Sequence, residues 1–277
     1  MPRTPYALIV ALLLMAALPV PLRAQPLWEV GVGAAALSLP DYRGSDERHE
    51  YLLPFPYLVY RGERVRADRE GLRARVFDSE RFDLDFSFSG NFALRSRDNM
   101  ARQGMPSLHP LLEAGPEVYY RLIGDRHSPW RLDARFATRF AYSIGDNRLT
   151  YRGIVASPYL RLDARNVAGT GFDVTGYAGL LYGDRRYHDY LYTVDPNFAT
   201  ASRPAFSASG GYAGSLAQIG AGRRFGNLWV GGFIRYDSLS GAVFEASPLV
   251  RSQRYATAGI AAAWVLGTSS KRAGFDD

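Results

Sequence analysis

Four histidines are the side chains of this chain best suited to acid–base chemistry near neutral pH. In chain order they are His49, His109, His127 and His188. All of them fall in predicted loops or at predicted strand edges, where a histidine is expected to be a solvated surface residue.

Acidic and hydroxyl neighbours give two of these histidines the composition of a catalytic set. The two sets are Ser45, Asp46 and His49, and Asp184, His188 and Asp189. Hydrolases use such groups as nucleophile and general base when the fold holds them within hydrogen-bonding distance. Nearness in sequence does not supply that geometry, so the sequence predicts no catalytic residue and no enzyme. Full activity in a variant that lacks all four histidines would exclude the enzymatic alternative.

Metal and cofactor sites have less support. The chain has no cysteine and no His-x-x-x-His spacing. Three aspartates of the predicted loop 183–205, namely Asp184, Asp189 and Asp195, lack the ordered spacing of calcium ligands, and two arginines stand among them. Four tyrosines of this region are assigned instead to an interfacial aromatic girdle: Tyr182, Tyr187, Tyr190 and Tyr192. We predict no metal and no cofactor.

The elements that must position these residues show a period of two. Residues 82–89 place aromatic or aliphatic groups on one side of a strand, and aspartate and serine on the other. Residues 131–140 repeat the pattern with three arginines. A soluble sandwich gives such alternation locally, but long strands of this kind in series fit one rule, a lipid-facing outside and a polar lumen. The sequence therefore predicts an all-β fold, an antiparallel transmembrane β-barrel.

Turn residues divide the chain into eleven predicted strands. They cover residues 28–37, 50–60, 64–77, 82–94, 111–122, 130–143, 150–163, 171–182, 206–222, 227–237 and 254–265. A bacterial barrel with both termini on the periplasmic side needs an even number. We predict twelve strands, with ten as the alternative, and expect the missing strand near Asp68–Gly71 or in 239–250.

Charges on the polar face predict how neighbouring strands are aligned. One alignment places Arg75 opposite Asp83 and Arg73 opposite Asp85, a second places Glu117 opposite Arg135 and Glu113 opposite Arg139, and a third places Asp133 opposite Arg161 and Arg131 opposite Asp163. Opposite charges across strands are favourable by roughly 0.2–1 kcal/mol per pair. The predicted lumenal charge ladder consists of Arg73, Arg75, Asp83, Asp85, Glu113, Glu117, Arg131, Asp133, Arg135, Arg139, Arg161 and Asp163.

The ends of the chain differ in composition from its body. Residues 1–24 have a basic start, an apolar run and a small-residue ending, which predicts a cleaved signal peptide. Residues 25–267 are predicted to form the barrel, and 268–277 a polar tail that carries Lys271, the one lysine. Removal of 1–24 lowers the net charge from +6 to +4. This excess is spread along the chain, so we expect no nucleic-acid partner.

The last predicted strand carries an export signature. Residues 257–264 alternate small or polar with apolar residues and end on Trp264. The segment resembles the C-terminal recognition strand of barrels inserted by the barrel assembly machinery, although here a polar tail follows it. We therefore expect that machinery as a partner during insertion, and outer-membrane lipid as the final surroundings.

Several short motifs add a family resemblance. They are Asp41-Tyr42-Arg43-Gly44-Ser45, Pro54-Phe55-Pro56-Tyr57, Tyr60-Arg61-Gly62, Glu113-Ala114-Gly115-Pro116 and Ser247-Pro248-Leu249-Val250. In this order and spacing the mature chain resembles the MipA/OmpV family of outer-membrane proteins, the MltA-interacting protein group. The resemblance implies a barrel in the outer membrane of a Gram-negative cell, with no assigned catalytic residues.

Two functions follow as expectations. The first is a non-enzymatic scaffold whose periplasmic turns or tail dock murein-remodelling enzymes, a lytic transglycosylase and a peptidoglycan synthase. The alternative is a narrow diffusion channel for small solutes, anions among them, because a twelve-stranded barrel is intermediate between filled and open barrels. Bilayer conductance distinguishes the two.

Overall fold

A computed structural model describes residues 25–68, 71–91, 94–125, 128–145 and 148–273 of the chain. The predicted signal peptide, residues 1–24, and His127 lie outside the described residues. The last four residues of the predicted polar tail, 274–277, also lie outside them.

The described residues form twelve antiparallel strands that close into a barrel, because each strand pairs with its neighbour in sequence and β1 pairs with β12. The strands are β1 (Trp28–Pro40), β2 (Arg48–Arg61), β3 (Val65–Asp68), β4 (Gly71–Asp78), β5 (Phe82–Asn91), β6 (Leu111–Ile123), β7 (Trp130–Gly145), β8 (Arg148–Ala164), β9 (Phe172–Gly183), β10 (Gly211–Phe225), β11 (Leu228–Ser238) and β12 (Arg254–Thr268). One α-helix, α1 (Arg185–Tyr192), and short 3-10 helices at Ser96–Asp98, Met100–Arg102, Val167–Gly169 and Pro196–Phe198 lie in the connections of this part of the chain.

The prediction of a twelve-stranded barrel is confirmed. The predicted strand 64–77 is in fact the hairpin of β3 and β4, so the missing strand lies near Asp68–Gly71, one of the two places expected. The other place, 239–250, is wrong for a strand, since its backbone forms consecutive turns. The predicted strand 206–222 begins only at Gly211, because Phe206 pairs with Val194 instead.

Side chains alternate between two environments along the strands. The outer face carries large apolar groups with nothing of the chain packed on them, such as Leu52, Val76 and Ile260, which are 78%, 66% and 69% exposed. Aromatic side chains are frequent toward the end that holds the chain termini: Trp28, Tyr60, Phe82, Trp130, Phe172 and Phe225. This surface is compatible with lipid and not with water.

The two ends of the barrel differ in construction. Short turns, such as 79–81 and 226–227, lie at the end that holds the termini. There the first residues of the tail run beside the start of the chain: the Leu27 N–H donates to Lys271 O (2.9 Å) and the Ala273 N–H to Gln25 O (2.9 Å).

The opposite end is covered by four longer connections, which we call the cap. The cap consists of residues 41–47, 94–110, 184–210 and 239–253. Its apolar core is contiguous with the top of the barrel and contains Tyr42, Leu94, Leu108, Leu111, Leu191, Tyr192, Val194, Ala208, Ala213, Leu239, Ala242, Phe244 and Leu249. The cap is therefore a packed structure across the barrel end and not a set of separate loops.

Candidate functional site

The inner faces of β7 and β8 carry a cluster of charges centred on two aspartates. Asp133 accepts contacts from Arg131 (3.1 Å) and Arg135 (3.0 Å). Asp163 lies between Arg131 (3.3 Å) and Arg161 (2.8 Å). Arg121 also approaches Asp133, and Arg135 approaches Asp163, each at 4.0 Å. Each carboxylate thus has three guanidinium groups within 4.0 Å, which offsets the cost of burying its charge.

Tyrosine hydroxyls complete the coordination of the neighbouring acids. Glu117 accepts from Arg139 (3.3 Å) and from the Tyr159 hydroxyl. Asp85 accepts from the Tyr119 hydroxyl at 2.9 Å. These side chains belong to β5, β6, β7 and β8, so the contacts join four strands across the barrel interior.

The predicted alignments have mixed outcomes. Between β7 and β8 the prediction is confirmed, because Asp133 pairs with Arg161 and Arg131 with Asp163. Between β4 and β5 it is wrong by two residues: Arg73 pairs with Ser87, and Arg75 with Asp85. An irregularity between Arg75 and Phe77 accompanies this shift.

The alignment of β6 with β7 is also wrong by two residues. Arg135 lies opposite Tyr119, and Glu117 lies opposite Ala137. Glu113 lies opposite Ala141. A bulge after Arg121 shifts the register.

Several inner polar residues had no place in the predicted ladder. Arg121 reaches Asp83 at 3.2 Å. At the end near the termini, Glu29 binds Arg61 (2.8 Å) and Arg224. Their inward orientation could have been predicted from the alternation of each strand, because each lies on its polar side. The same alternation assigns tyrosines and isolated charges on that side to the lumen.

A second inner cluster fastens the cap to the barrel. Arg43 of the first cap loop binds Asp237 of β11 at 3.2 Å and donates to Ala213 O at 3.0 Å. Asp237 also accepts from Arg235 at 2.6 Å. The Tyr192 hydroxyl donates to Arg43 O at 3.0 Å, so α1 and the barrel hold the same residue.

His188 is fully buried in the cap, so the prediction of a solvated loop residue is wrong for this histidine. Its Nδ1 lies 2.7 Å from Ser209 O, and its ring packs edge-on against Phe244 at 4.7 Å. Desolvation by burial lowers the pKa of His188. His188 lies on α1, and the Asp184 side chain caps the N-terminus of this helix by accepting from the Tyr187 N–H at 2.8 Å.

The tyrosine assignment also needs correction. Tyr182 is exposed on the outer face of β9, as a girdle residue would be. Tyr192 is instead fully buried and stacks on Phe244, with ring centroids 3.7 Å apart and planes 7° apart. Tyr187 donates to Glu113 at 3.0 Å, and the Tyr190 hydroxyl accepts from the His109 N–H at 2.7 Å. Three of the four tyrosines therefore contribute to the interior.

Neither of the two sets with a catalytic composition is brought together by the fold. His49 contacts Asp41 and not Asp46, whose nearest cation is Arg251 at 3.7 Å. Ser45 is buried and accepts from the Asn99 side chain at 3.1 Å.

The second set is not assembled either. The Asp189 carboxylate accepts from the Thr193 hydroxyl (2.7 Å) and pairs with Arg185 (3.5 Å). The Asp184 carboxylate caps the helix, and the His188 ring contacts Ser209 O. Within the described ranges, no group of three or more His, Cys, Asp or Glu is placed to hold a metal ion. In the same part of the chain, no helix has the length and apolar character needed to cross a bilayer.

A closed antiparallel barrel with an apolar exterior, a charged interior, short turns at one end and long loops at the other defines the class of protein: this is an outer-membrane β-barrel. In such barrels the short turns face the periplasm and the long loops face outward, so the cap lies on the outer side. The chain belongs to the family described as MltA-interacting protein MipA, whose sequence profile matches residues 32–266.

Comparison with other proteins adds weaker likenesses. A search of curated proteins gives no match. Among solved structures, the chain is similar to the "CymD monoaromatic hydrocarbon channel", with a TM-score of 0.33 and 11% identity over 87% of this chain and 89% of that one. It is also similar to outer membrane phospholipase (OMPLA) from Salmonella typhi, with a TM-score of 0.32 and 10% identity over 91% and 96%. Outer membrane phospholipase A from Escherichia coli gives a TM-score of 0.31 and 11% identity over 85% and 92%.

Proposed function

We propose that this protein is a barrel closed to ions that anchors a murein-cleaving lytic transglycosylase at its periplasmic rim. The observation that carries the proposal is the cap, whose packed core lies across the outer end. A barrel closed on that side offers no direct aqueous route, and a binding role uses the end that remains. The family description, MltA-interacting protein, supports the choice of partner.

The packing of the cap supports closure. A cavity of about 30 Å³, lined in part by Tyr42, His188 and Phe244, has room for only a few water molecules. The Tyr42 hydroxyl donates to Leu249 O at 2.7 Å and so ties the first cap loop to the last. Burial raises the pKa of Tyr42, which keeps this donor protonated.

The interior below the cap also favours a closed state. The lumenal charge ladder, in the form of the contacts around Asp133, Asp163 and Glu117, leaves those carboxylates already neutralised by arginine. An ion that entered would have to displace a partner from these pairs. The ladder is therefore proposed as an internal brace and not as a permeation path.

The periplasmic rim supplies the proposed docking surface. Among the described residues, its exposed side chains include more arginine and lysine than acid, and the basic ones are Arg64, Arg81, Arg165, Arg224, Lys271 and Arg272. Complementary charge mainly accelerates and orients association, so we expect an acidic face on the partner. A peptidoglycan synthase is proposed as a second member of the same assembly, held through the transglycosylase.

The experiment combines a binding assay with conductance. Binding of a purified lytic transglycosylase to the refolded barrel is measured for the native chain and for the rim variant Arg64→Glu/Arg81→Glu. The matched control is Arg185→Glu/Arg251→Glu, which changes two exposed arginines at the cap end. We expect salt-sensitive binding that only the rim variant loses. Equal binding by all three chains would contradict a basic docking rim.

Planar-bilayer recordings of the same protein test the closed state. We expect no steady conductance from folded barrels. A steady, anion-selective conductance would refute closure and make the narrow diffusion channel the better function. Absence of transglycosylase binding together with absence of conductance would refute the anchoring role while leaving the closed barrel intact.

A further inference from the structure

The wall of the barrel is incomplete between β2 and β5. β2 pairs with β1 along its whole length, from Trp28 opposite Tyr60 to Pro40 opposite Arg48. On its other side it pairs with β3 only at Tyr60 and Arg61. Among the described residues, no strand pairs with this side of β2 above Tyr60, and β2 makes no extended backbone contact with β5.

Two prolines lie on this open edge. The Arg61 N–H donates to Leu27 O, on the β1 side, so the odd-numbered residues of β2 direct their N–H groups toward β1. The even-numbered residues direct theirs toward the open edge, and two of these are Pro54 and Pro56, which have no N–H. Proline at such positions removes the donors that a further strand would need. The edge is thus built to remain unpaired and disfavours an added peptide strand.

The gap has a definite frame, which we call the lateral window. Its lower side is the short β3–β4 hairpin, whose Gly71 lies beside Phe88 O of β5. Its far side is the top of β5, where Gly90 and Asn91 pair with β6. At the hairpin, β2 and β5 are three interstrand spacings apart, or about 14 Å. The open edge from Leu52 to Leu58 is about 20 Å long.

A cap loop closes the upper side of the frame. Asn99, in the connection that follows β5, donates to Asp41 (2.8 Å) and Ser45 (3.1 Å) in the connection that precedes β2. The Met100 N–H donates to Glu47 at 2.6 Å. The tops of β5 and β2 are therefore linked, and the opening is lateral and not upward.

The window lies at the level of the lipid-facing belt. Pro54 and Pro56 are opposite Ala34 and Val32, midway along β1. The outward residues of its β2 side, Leu52 and Leu58, are 78% and 56% exposed. An opening at this height leads into hydrocarbon and not into water.

Behind the window, the inner face of β2 is apolar. Leu53 and Phe55 alternate inward and are only partly buried. The Phe55 ring lies over Gly33 of β1, where a Cβ would come within 2.6 Å of its Cζ, so the ring folds away from the open edge. Ser89 on the opposite side has the inward alternation of Ser87 and yet is exposed. The β2 side chains that face inward at the window are therefore apolar and are not fully covered by the rest of the chain.

We propose that the lateral window admits small lipophilic molecules from the surrounding membrane into the lumen, where Leu53 and Phe55 contact them. The occupant is expected to be uncharged and narrow enough to pass between two strands whose axes are about 14 Å apart. This function is separate from docking at the periplasmic rim and is compatible with a barrel that conducts no ions.

The test uses a membrane-dissolved photoprobe, an iodinated trifluoromethyl-phenyl-diazirine, with the refolded mature protein in phosphatidylcholine vesicles. Labelled residues are mapped by mass spectrometry. Leu52 and Leu58 face the lipid and serve as internal positive controls on the same strand. We expect label on Leu53 and Phe55 as well, although they face inward. Label on the outward pair alone would overturn the proposal.

A variant with a blocked window distinguishes entry of the photoprobe through the window from its entry at the periplasmic end. Ser89→Trp adds a large side chain on the inner side of the frame, and Phe88→Trp is the matched control on its lipid-facing side. We expect loss of label at Leu53 and Phe55 in the first variant and its retention in the second. If Ser89→Trp does not fold, judged by heat-modifiable mobility on a gel, Ser89→Leu replaces it. Inward label that survives in the folded, filled variant would show another entrance and overturn the proposal.

Discussion

Replacement of Phe244 by alanine should open the cap without unfolding the barrel. Phe244 is fully buried, stacks on Tyr192 at 3.7 Å and meets His188 edge-on at 4.7 Å. Loss of a buried phenylalanine costs about 3–5 kcal/mol through lost transfer energy and the cavity left behind. Since each 1.4 kcal/mol is tenfold, the equilibrium constant for cap opening should rise by about two to four orders of magnitude.

Hydrogen–deuterium exchange measures this opening locally. The amides of His188, Val194 and Phe206 are hydrogen-bonded within the cap and should lose protection by that factor. The amides of β7 and β8, which belong to the longest-paired part of the wall, should be unchanged. Val243→Ala is the matched control, because Val243 is the adjacent residue and is 38% exposed. Its effect should stay within about 0.5 kcal/mol.

Two outcomes would refute the reasoning. Unchanged protection in Phe244→Ala would mean that the cap is not held by this core. Loss of protection spread equally over β7 and β8 would mean that the cap and the barrel unfold as one unit. If the cap is the closed element, the variant should also show brief conductance events that the Val243→Ala control lacks.

Three further predictions concern the interior. Asp133→Asn leaves Arg131 and Arg135 beside a neutral group, so unfolding in urea should become easier by about 3–5 kcal/mol, whereas Arg251→Ala, which breaks a half-exposed pair with Asp46, should cost about 1 kcal/mol or less. Because the pKa of His188 is lowered in the folded cap, the unfolded cap binds the proton more readily, and the cap is fully stable above about pH 6.5 and less stable below it. Hydrogen-exchange rates of the cap amides, corrected for the intrinsic effect of pH, should show this loss of stability in the native chain but not in His188→Gln. Gly33→Val would bring a Cβ within 2.6 Å of Phe55 and 2.7 Å of Ala262 O, so the free energy of unfolding should fall by about 1–3 kcal/mol, while the lipid-facing Ala34→Val should have little effect.

The barrel itself was predictable because a strand in lipid must alternate at every step. The same alternation explains why the alignment of strands was only partly predictable. Arginine and acid recur every second residue, so a slip of two residues keeps unlike charges together, as with Arg75, which meets Asp85 instead of Asp83. The β6–β7 slip accompanies a bulge after Arg121, which no local charge pattern marks. Between β7 and β8 the register has no bulge at the charged pairs, and the alignment predicted from the charges is confirmed.

The cap could not be derived in this way. Its apolar residues, such as Leu191, Phe244 and Leu249, lie in four separate connections with no shared period. The burial of His188 depends on contacts with Phe244 and Ser209, which are 56 and 21 residues away in the chain. Sequence neighbours alone therefore suggested a solvated loop.

The composition of the cap also sets an order of events during biogenesis. Tyr42 precedes β2 and donates a hydrogen bond from its hydroxyl to the backbone oxygen of Leu249, which precedes β12 and lies 207 residues further along the chain. Contacts of such long range form late, after the segments between them are in place. The cap core is complete only when the connection that follows β1 has met the one that precedes β12, so a half-inserted chain lacks a finished cap core. Protection of the cap is thus a readout of finished assembly, available from the cell exterior.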